Sequence, residues 1–151
     1  MTPVSVPSSL CTGTRAALAR ELDRAGVVQA AIVGSYARGE QRATSDLDVA
    51  LWVEPSLTAQ AGLDLCSTLL RDAQQAIGDR ARIDLVDLRR ASPTVRHRAI
   101  RDADVLVERD HVARVRLDRD SLIEYWDTAP LRELQRRALQ QRVQEDRFGR
   151  P

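Results

Sequence analysis

Lysine and asparagine are both absent from the chain, and all 23 basic residues are arginine. Schiff-base chemistry and lysyl nucleophiles are therefore excluded. The bias fits a GC-rich coding sequence and a bacterial source. Cysteine is scarce: Cys11 and Cys66 are too few and too far apart for a disulfide framework or a zinc site, and both are expected as reduced thiols. No apolar run approaches the ~20 residues that cross a bilayer. The start, Met1-Thr-Pro-Val-Ser-Val-Pro, lacks the basic and apolar regions of a signal peptide, so a cytoplasmic protein without membrane contact is expected. An excess of charge is missing as well. With 23 basic against 22 acidic residues the chain has no footprint for non-specific polyanion binding, and direct binding of nucleic acid is not expected.

What is present has the size of one ordinary domain: 151 residues, 43% of them hydrophobic. Residues 1–9, with two prolines, read as a loose lead-in. The apolar pattern predicts a helix over 14–24, with Gly26 placed as its C-terminal stop, and strands over 27–33 and 47–53. A long amphipathic helix follows from about 57 to 77, then a strand over 82–88, a helix opened by Ser92-Pro93, and a short strand over 104–108. After His111 the chain reads as helices broken near Pro130, with Leu131, Leu134 and Ala138 on one face. The sum is an α/β (α+β) domain: a small mixed sheet flanked by helices, with a core over 10–110 and a helical C-terminal extension over 111–151. Strand order is not readable at this level.

The chemistry lies between the first two strands, in Gly34-Ser35-Tyr36-Ala37-Arg38-Gly39 and Ser45-Asp46-Leu47-Asp48. A Gly-Ser at a strand end is either a plain turn or a sharp entry into a helix, whose free amides and dipole, joined by the Ser35 hydroxyl, favour phosphate. Asp46 and Asp48 are two apart, so in a strand both side chains leave one face, with Cα atoms about 6.6 Å apart. Leu47, Val49, Leu51 and Val53 take the other face, toward the core. Two carboxylates on one face are either solvated or hard oxygen ligands suited to Mg²⁺ with substrate phosphates. Asp84 in the next strand, with Asp87 as the fallback, is the candidate third ligand. Three such groups can hold two metals roughly 3.5 to 4 Å apart.

Taken together, the two halves resemble the motif of the minimal nucleotidyltransferases of the polymerase-β-like superfamily: Gly-Ser-x-Ala-Arg-Gly, a short spacer, then Ser-Asp-x-Asp. The strand around Asp84 is similar to the family's segment bearing its third carboxylate, and the likeness covers roughly residues 15–110. The resemblance implies transfer of AMP from ATP to a hydroxyl, with Asp46, Asp48 and Asp84 as metal ligands and Asp84 near the nucleophile. It implies that Gly34, Ser35, Arg38 and Ser45 hold the nucleotide, although Arg38 can equally pair with a carboxylate such as Asp46. The chain further resembles the antitoxin of HEPN/MNT toxin–antitoxin pairs (type VII), in which AMP is attached to a tyrosine of a helical ribonuclease toxin. The stretch Tyr125-Trp126-Asp127-Thr128-Ala129-Pro130 is similar to a Tyr-x-Asp-x-x-Pro motif of those antitoxins. This implies a HEPN-type partner protein. The alternatives are an adenylyltransferase of a small molecule such as an aminoglycoside, and a catalytically silent binding antitoxin. Leu122, Tyr125 and Trp126 either pack on the domain or face the partner, and His97 and His111 are expected at solvated positions.

Overall fold

The computed structural model describes residues 10–144. The expectation of a loose lead-in over 1–9, and the end of the tail, lie outside the described residues. In chain order the elements are α1 (Thr12–Leu22), β1 (Val27–Ile32), the single-turn α2 (Gly34–Ala37), β2 (Leu47–Val53), α3 (Ala59–Ile77), β3 (Ile83–Asp87), α4 (Pro93–Asp102), β4 (Asp104–Glu108), α5 (His111–Asp127) and α6 (Ala129–Gln144). Local chemistry sets the boundaries. The Thr58 hydroxyl accepts from Ala61 N at 3.1 Å and opens α3, and Gly78, at φ +61°, stops it. Ser92 caps α4 by accepting from Val95 N, with Pro93 in the first turn. Gly26 does not cap α1 as expected. The C-cap is Asp23, and Gly26, at φ +89°, turns the chain into β1.

The sheet is mixed, in the order β3-β2-β1-β4. β1 is antiparallel to β2 and to β4, while β2 and β3 are parallel. A parallel pair needs a crossover, and α3 supplies it. Helices cover both faces. On one side Leu18 and Leu22 of α1 and Leu69, Ala73 and Ile77 of α3 pack on Leu47, Val49, Leu51 and Val53, the face that the alternation predicted. On the other, Ala99 of α4 and Ala113 and Leu117 of α5 pack with Val28, Ala50 and Trp52. This second core explains why β1 is buried at every position and reads as a continuous apolar run. Trp52 is buried, and its indole Nε1 donates to Asp118 Oδ1 at 2.9 Å, which fastens α5 to the sheet.

The tail behaves differently. Leu131 and Leu134 of α6 are 58% and 70% exposed, so the apolar face predicted there finds no cover among the described residues. Tyr125 is half-buried and Trp126 is exposed. His97 corrects the sequence reading: its ring stacks on Tyr125 with centroids 3.9 Å apart, and Arg132 covers the tyrosine ring at 3.7 Å. His111 is exposed as expected, with Nδ1 2.7 Å from Glu108. No helix among the described residues is long and apolar enough to cross a membrane.

Candidate active site

β1 ends at Val33, which is still extended, and Gly34 turns the chain at φ +70° into α2. That dihedral lies in the left-handed region, where a Cβ is strained. A Cβ on Gly34 would also run into Asp48 Oδ2. Glycine is needed twice over at this position, once for the turn and once for the carboxylate beside it. The backbone ties the same two segments together, since Val33 N donates to Asp48 O at 2.9 Å.

The parallel register places Asp48 opposite Asp84. Residues paired across a sheet share a face, so these two carboxylates are neighbours on adjacent strands. Asp46 lies just before β2 and is exposed. The grouping has an electrostatic consequence: the Asp48 carboxyl is pushed above its ordinary range by burial, then by the charges of Asp84 and Asp46, with Arg38 partly opposing.

The register also separates the two candidates for the third carboxylate. Asp87 pairs with Leu51, on the face of the first core, and therefore points away from Asp48. It is engaged elsewhere: Arg89 Nη2 donates to Asp87 Oδ2 at 3.2 Å, and the same guanidinium reaches the carbonyls of Glu54 and Leu57. Asp87 is a structural anchor for the β2–α3 connection.

Other predicted residues have partners of their own. The Ser45 hydroxyl accepts from Arg42 N at 2.8 Å, closing the turn that delivers Asp46 to β2. Ser35 is half-buried, and its carbonyl accepts from Glu40 N at 2.9 Å. Arg38 has carboxylate partners, but Asp46 is not among them. Its Nε donates to Glu40 Oε2 at 2.8 Å and its Nη1 to Asp102 Oδ2 at 3.4 Å.

Beside Gly34 and Asp48 opens a pocket of about 540 Å³ between the sheet and α4. Ala50, Val86 and Leu88 line it with apolar surface, and Arg38, Arg98, Arg101 and Asp102 supply charge. The last three belong to α4 and were missed in the sequence. Arg98 and Arg101 are three apart, so they share a helix face, and that spacing was the available signal.

The donor set fits a hard divalent cation: carboxylate oxygens on two neighbouring strands, one of them disfavoured as an anion by its own surroundings. Among the described residues no three His, Cys, Asp or Glu side chains already stand together as a metal-holding group.

Comparison with known proteins agrees with this architecture. Residues 18–112 match the family model described as "Polymerase beta, Nucleotidyltransferase". Among solved structures, a crystal structure of a toxin–antitoxin with AMP-PNP is 21% identical, with 87% of this chain and 99% of that chain covered and a TM-score of 0.64. A tri-AMPylated Shewanella oneidensis HEPN toxin in complex with MNT antitoxin aligns at 18% identity, over 84% of this chain and 96% of the other, with a TM-score of 0.61. The toxin–antitoxin MntA-HepT aligns at 17% identity, over 84% and 97%, with a TM-score of 0.60. At these identities the structures speak to the fold. No curated protein sequence matches. The match to the family model covers more than half of the chain, and with it the protein belongs to the polymerase β nucleotidyltransferase family.

Proposed function

We propose that the chain is a metal-dependent adenylyltransferase that moves AMP from ATP to a tyrosine hydroxyl of a HEPN-type ribonuclease partner, and so acts as a cytoplasmic antitoxin. The observation that carries this reading is the placement of Asp48 opposite Asp84 on adjacent strands, with Gly34 against the Asp48 carboxylate. In the reaction the acceptor oxygen bonds to the α-phosphorus of ATP, the bond to pyrophosphate breaks, and the acceptor proton must leave. A tyrosine has a pKa near ~10 and is almost fully protonated at neutral pH, so a base is needed. Asp84 is exposed at the edge strand, where an incoming acceptor can reach it, and takes that proton.

Asp46, Asp48 and Asp84 would hold Mg²⁺, which supplies charge neutralisation at the phosphates and lowers the acceptor's pKa. Gly34 lets the backbone come close to the triphosphate, and Ser35 and Arg38 donate to it. Ser45 acts through the loop, by holding the turn before Asp46. Support for the partner comes from the toxin–antitoxin complexes that share the fold, one of them with an AMPylated HEPN toxin. AMP on a tyrosine adds charge and bulk that would block an RNA-binding surface.

The test is to mix chain, HEPN-type partner, ATP and Mg²⁺ and to measure the intact masses of both proteins. A gain of whole AMP units on the partner is expected, lost when its acceptor tyrosine is changed to phenylalanine. An unmodified partner, with toxicity still suppressed, would replace this reading with inhibition by binding alone.

A further inference from the structure

Asp102 ends α4 at the pocket that opens from Gly34 and Asp48, and only 12% of its side chain is exposed. Three guanidinium hydrogen bonds converge on it. Arg101 donates through Nε at 2.6 Å and Nη2 at 2.9 Å, and Arg38 donates through Nη1 at 3.4 Å. Arg38 comes from the loop after α2 and Arg101 from α4, so this carboxylate joins two separate elements at the pocket. Without it two like charges would face each other and swing apart into water.

Among the described residues the Asp102 carboxylate accepts from these arginine side chains and from no backbone N–H. Glu40 takes Arg38 Nε. Among the described residues Arg38 Nη2, Arg101 Nη1 and the Arg98 guanidinium have no acceptor. All three side chains line the same pocket. The guanidiniums of Arg38, Arg98 and Arg101 share that pocket wall with the carboxylates of Asp48 and Asp102.

We propose that Asp102 is a positioning residue for the nucleotide: it clamps Arg38 and Arg101 side by side on the pocket wall, so that their unpaired N–H groups, with Arg98, meet the β- and γ-phosphates of a nucleoside triphosphate. The proposal rests on the adenylyltransferase reading for the identity of the ligand. Asp102 touches no reacting atom. It acts by fixing the direction of the two guanidiniums, that of Arg101 through two hydrogen bonds and that of Arg38 through one, with Glu40 holding Arg38 from its Nε side. Consistent with the clamp, hydrogen bonding from Arg101 holds the Asp102 carboxyl below its ordinary range, so it stays ionised at neutral pH.

The test uses the full chain and titrates Mg²⁺ with an ATP analogue carrying a methylene α,β bridge, followed by calorimetry. Asp102→Asn should weaken the analogue by roughly tenfold, the scale of one lost charged hydrogen bond. AMP should be affected far less, because it lacks the phosphates that the clamp serves. Asp102→Glu should recover most of the loss. Asp102→Asn added to the Arg38→Ala/Arg101→Ala pair should cost little more than that pair alone, since the three act as one unit. With partner present, the loss should appear in KM for ATP more than in kcat. Unchanged analogue affinity in Asp102→Asn, an equal loss for AMP, or additive losses with the Arg38→Ala/Arg101→Ala pair would overturn the proposal. A wild-type chain that binds the analogue and leaves the partner unmodified defeats the proposed function alone, while the affinity series still decides the role of Asp102. A wild-type chain that binds no analogue overturns both.

Discussion

Asp48 and Asp84 stand opposite one another across the parallel β2–β3 pair, and the carboxylate of Asp48 fills the space that a side chain at position 34 would need. Like charges so placed repel, and burial of Asp48 sharpens the effect. The arrangement costs stability in the free chain, and a cation bound between the carboxylates would relieve it. Functional sites commonly carry this kind of conflict.

Asp48→Asn removes one charge from that group. The melting temperature of the metal-free chain should hold or rise, while AMP transfer falls by orders of magnitude. Asp46→Asn should lower transfer as well with little change in stability, since Asp46 is exposed. Thermal melts and single-turnover assays on the same preparations check both. Near wild-type transfer in the two variants would remove them from the site.

Asp84 and Asp87 should separate cleanly. Asp84→Asn should abolish transfer and melt at or slightly above wild type, because its side chain is exposed and its charge opposes that of Asp48. Asp87→Asn should retain transfer and lose about 2 kcal/mol of stability, as it weakens a partly buried ion pair with Arg89. Denaturant titration beside the transfer assay measures this pair, and the opposite pattern would exchange their roles.

Gly34→Ala meets two obstacles, a left-handed backbone and the Asp48 carboxylate. The strained dihedral alone costs about 1–2 kcal/mol. The added methyl group would displace Asp48, so metal affinity should drop together with ATP affinity. Calorimetry with Mn²⁺, with and without ATP, detects this. Loss of ATP binding with metal binding intact would locate the steric conflict at the nucleotide instead.

In α6, Arg136 and Arg137 hold the Glu133 carboxyl down to about 2, from an ordinary 4.5. A depressed carboxylate contributes stability that is fully present above its unfolded value and is lost as pH falls through the folded one. The contribution should therefore fade between about pH 4.5 and 2. Glu133 is on the surface, so the effect is modest and falls with added salt. Glu133→Gln should be slightly less helical at neutral pH by far-UV circular dichroism, and the difference from wild type should vanish toward pH 2. A difference that stays constant over that range would mean that the pair does not support the helix.

Much of this protein is local and was legible in the chain. Ser92-Pro93 opens α4 as expected, Gly78 stops α3, and the alternation from Leu47 to Val53 places Asp48 away from the first core, because caps and periodicity depend on neighbours a few residues away. The joined motif from Gly34 to Asp48 marked the family for the same reason: its parts lie on consecutive elements. The strand order, the second core and the contact of Arg38 with Asp102 were not legible, since each depends on segments that meet only on folding. The alternative that Arg38 pairs with a carboxylate is met by Glu40, two residues away, and by Asp102, which α4 brings in, rather than by Asp46. The choice between Asp84 and Asp87 shows where the division falls. Both sit among apolar residues in one strand, and the sequence ranked Asp84 ahead of Asp87 without showing which of them shares a face with Asp48. Only the parallel register, Asp48 with Asp84 and Leu51 with Asp87, decides it, because residues an odd number of positions apart must leave opposite faces of the sheet.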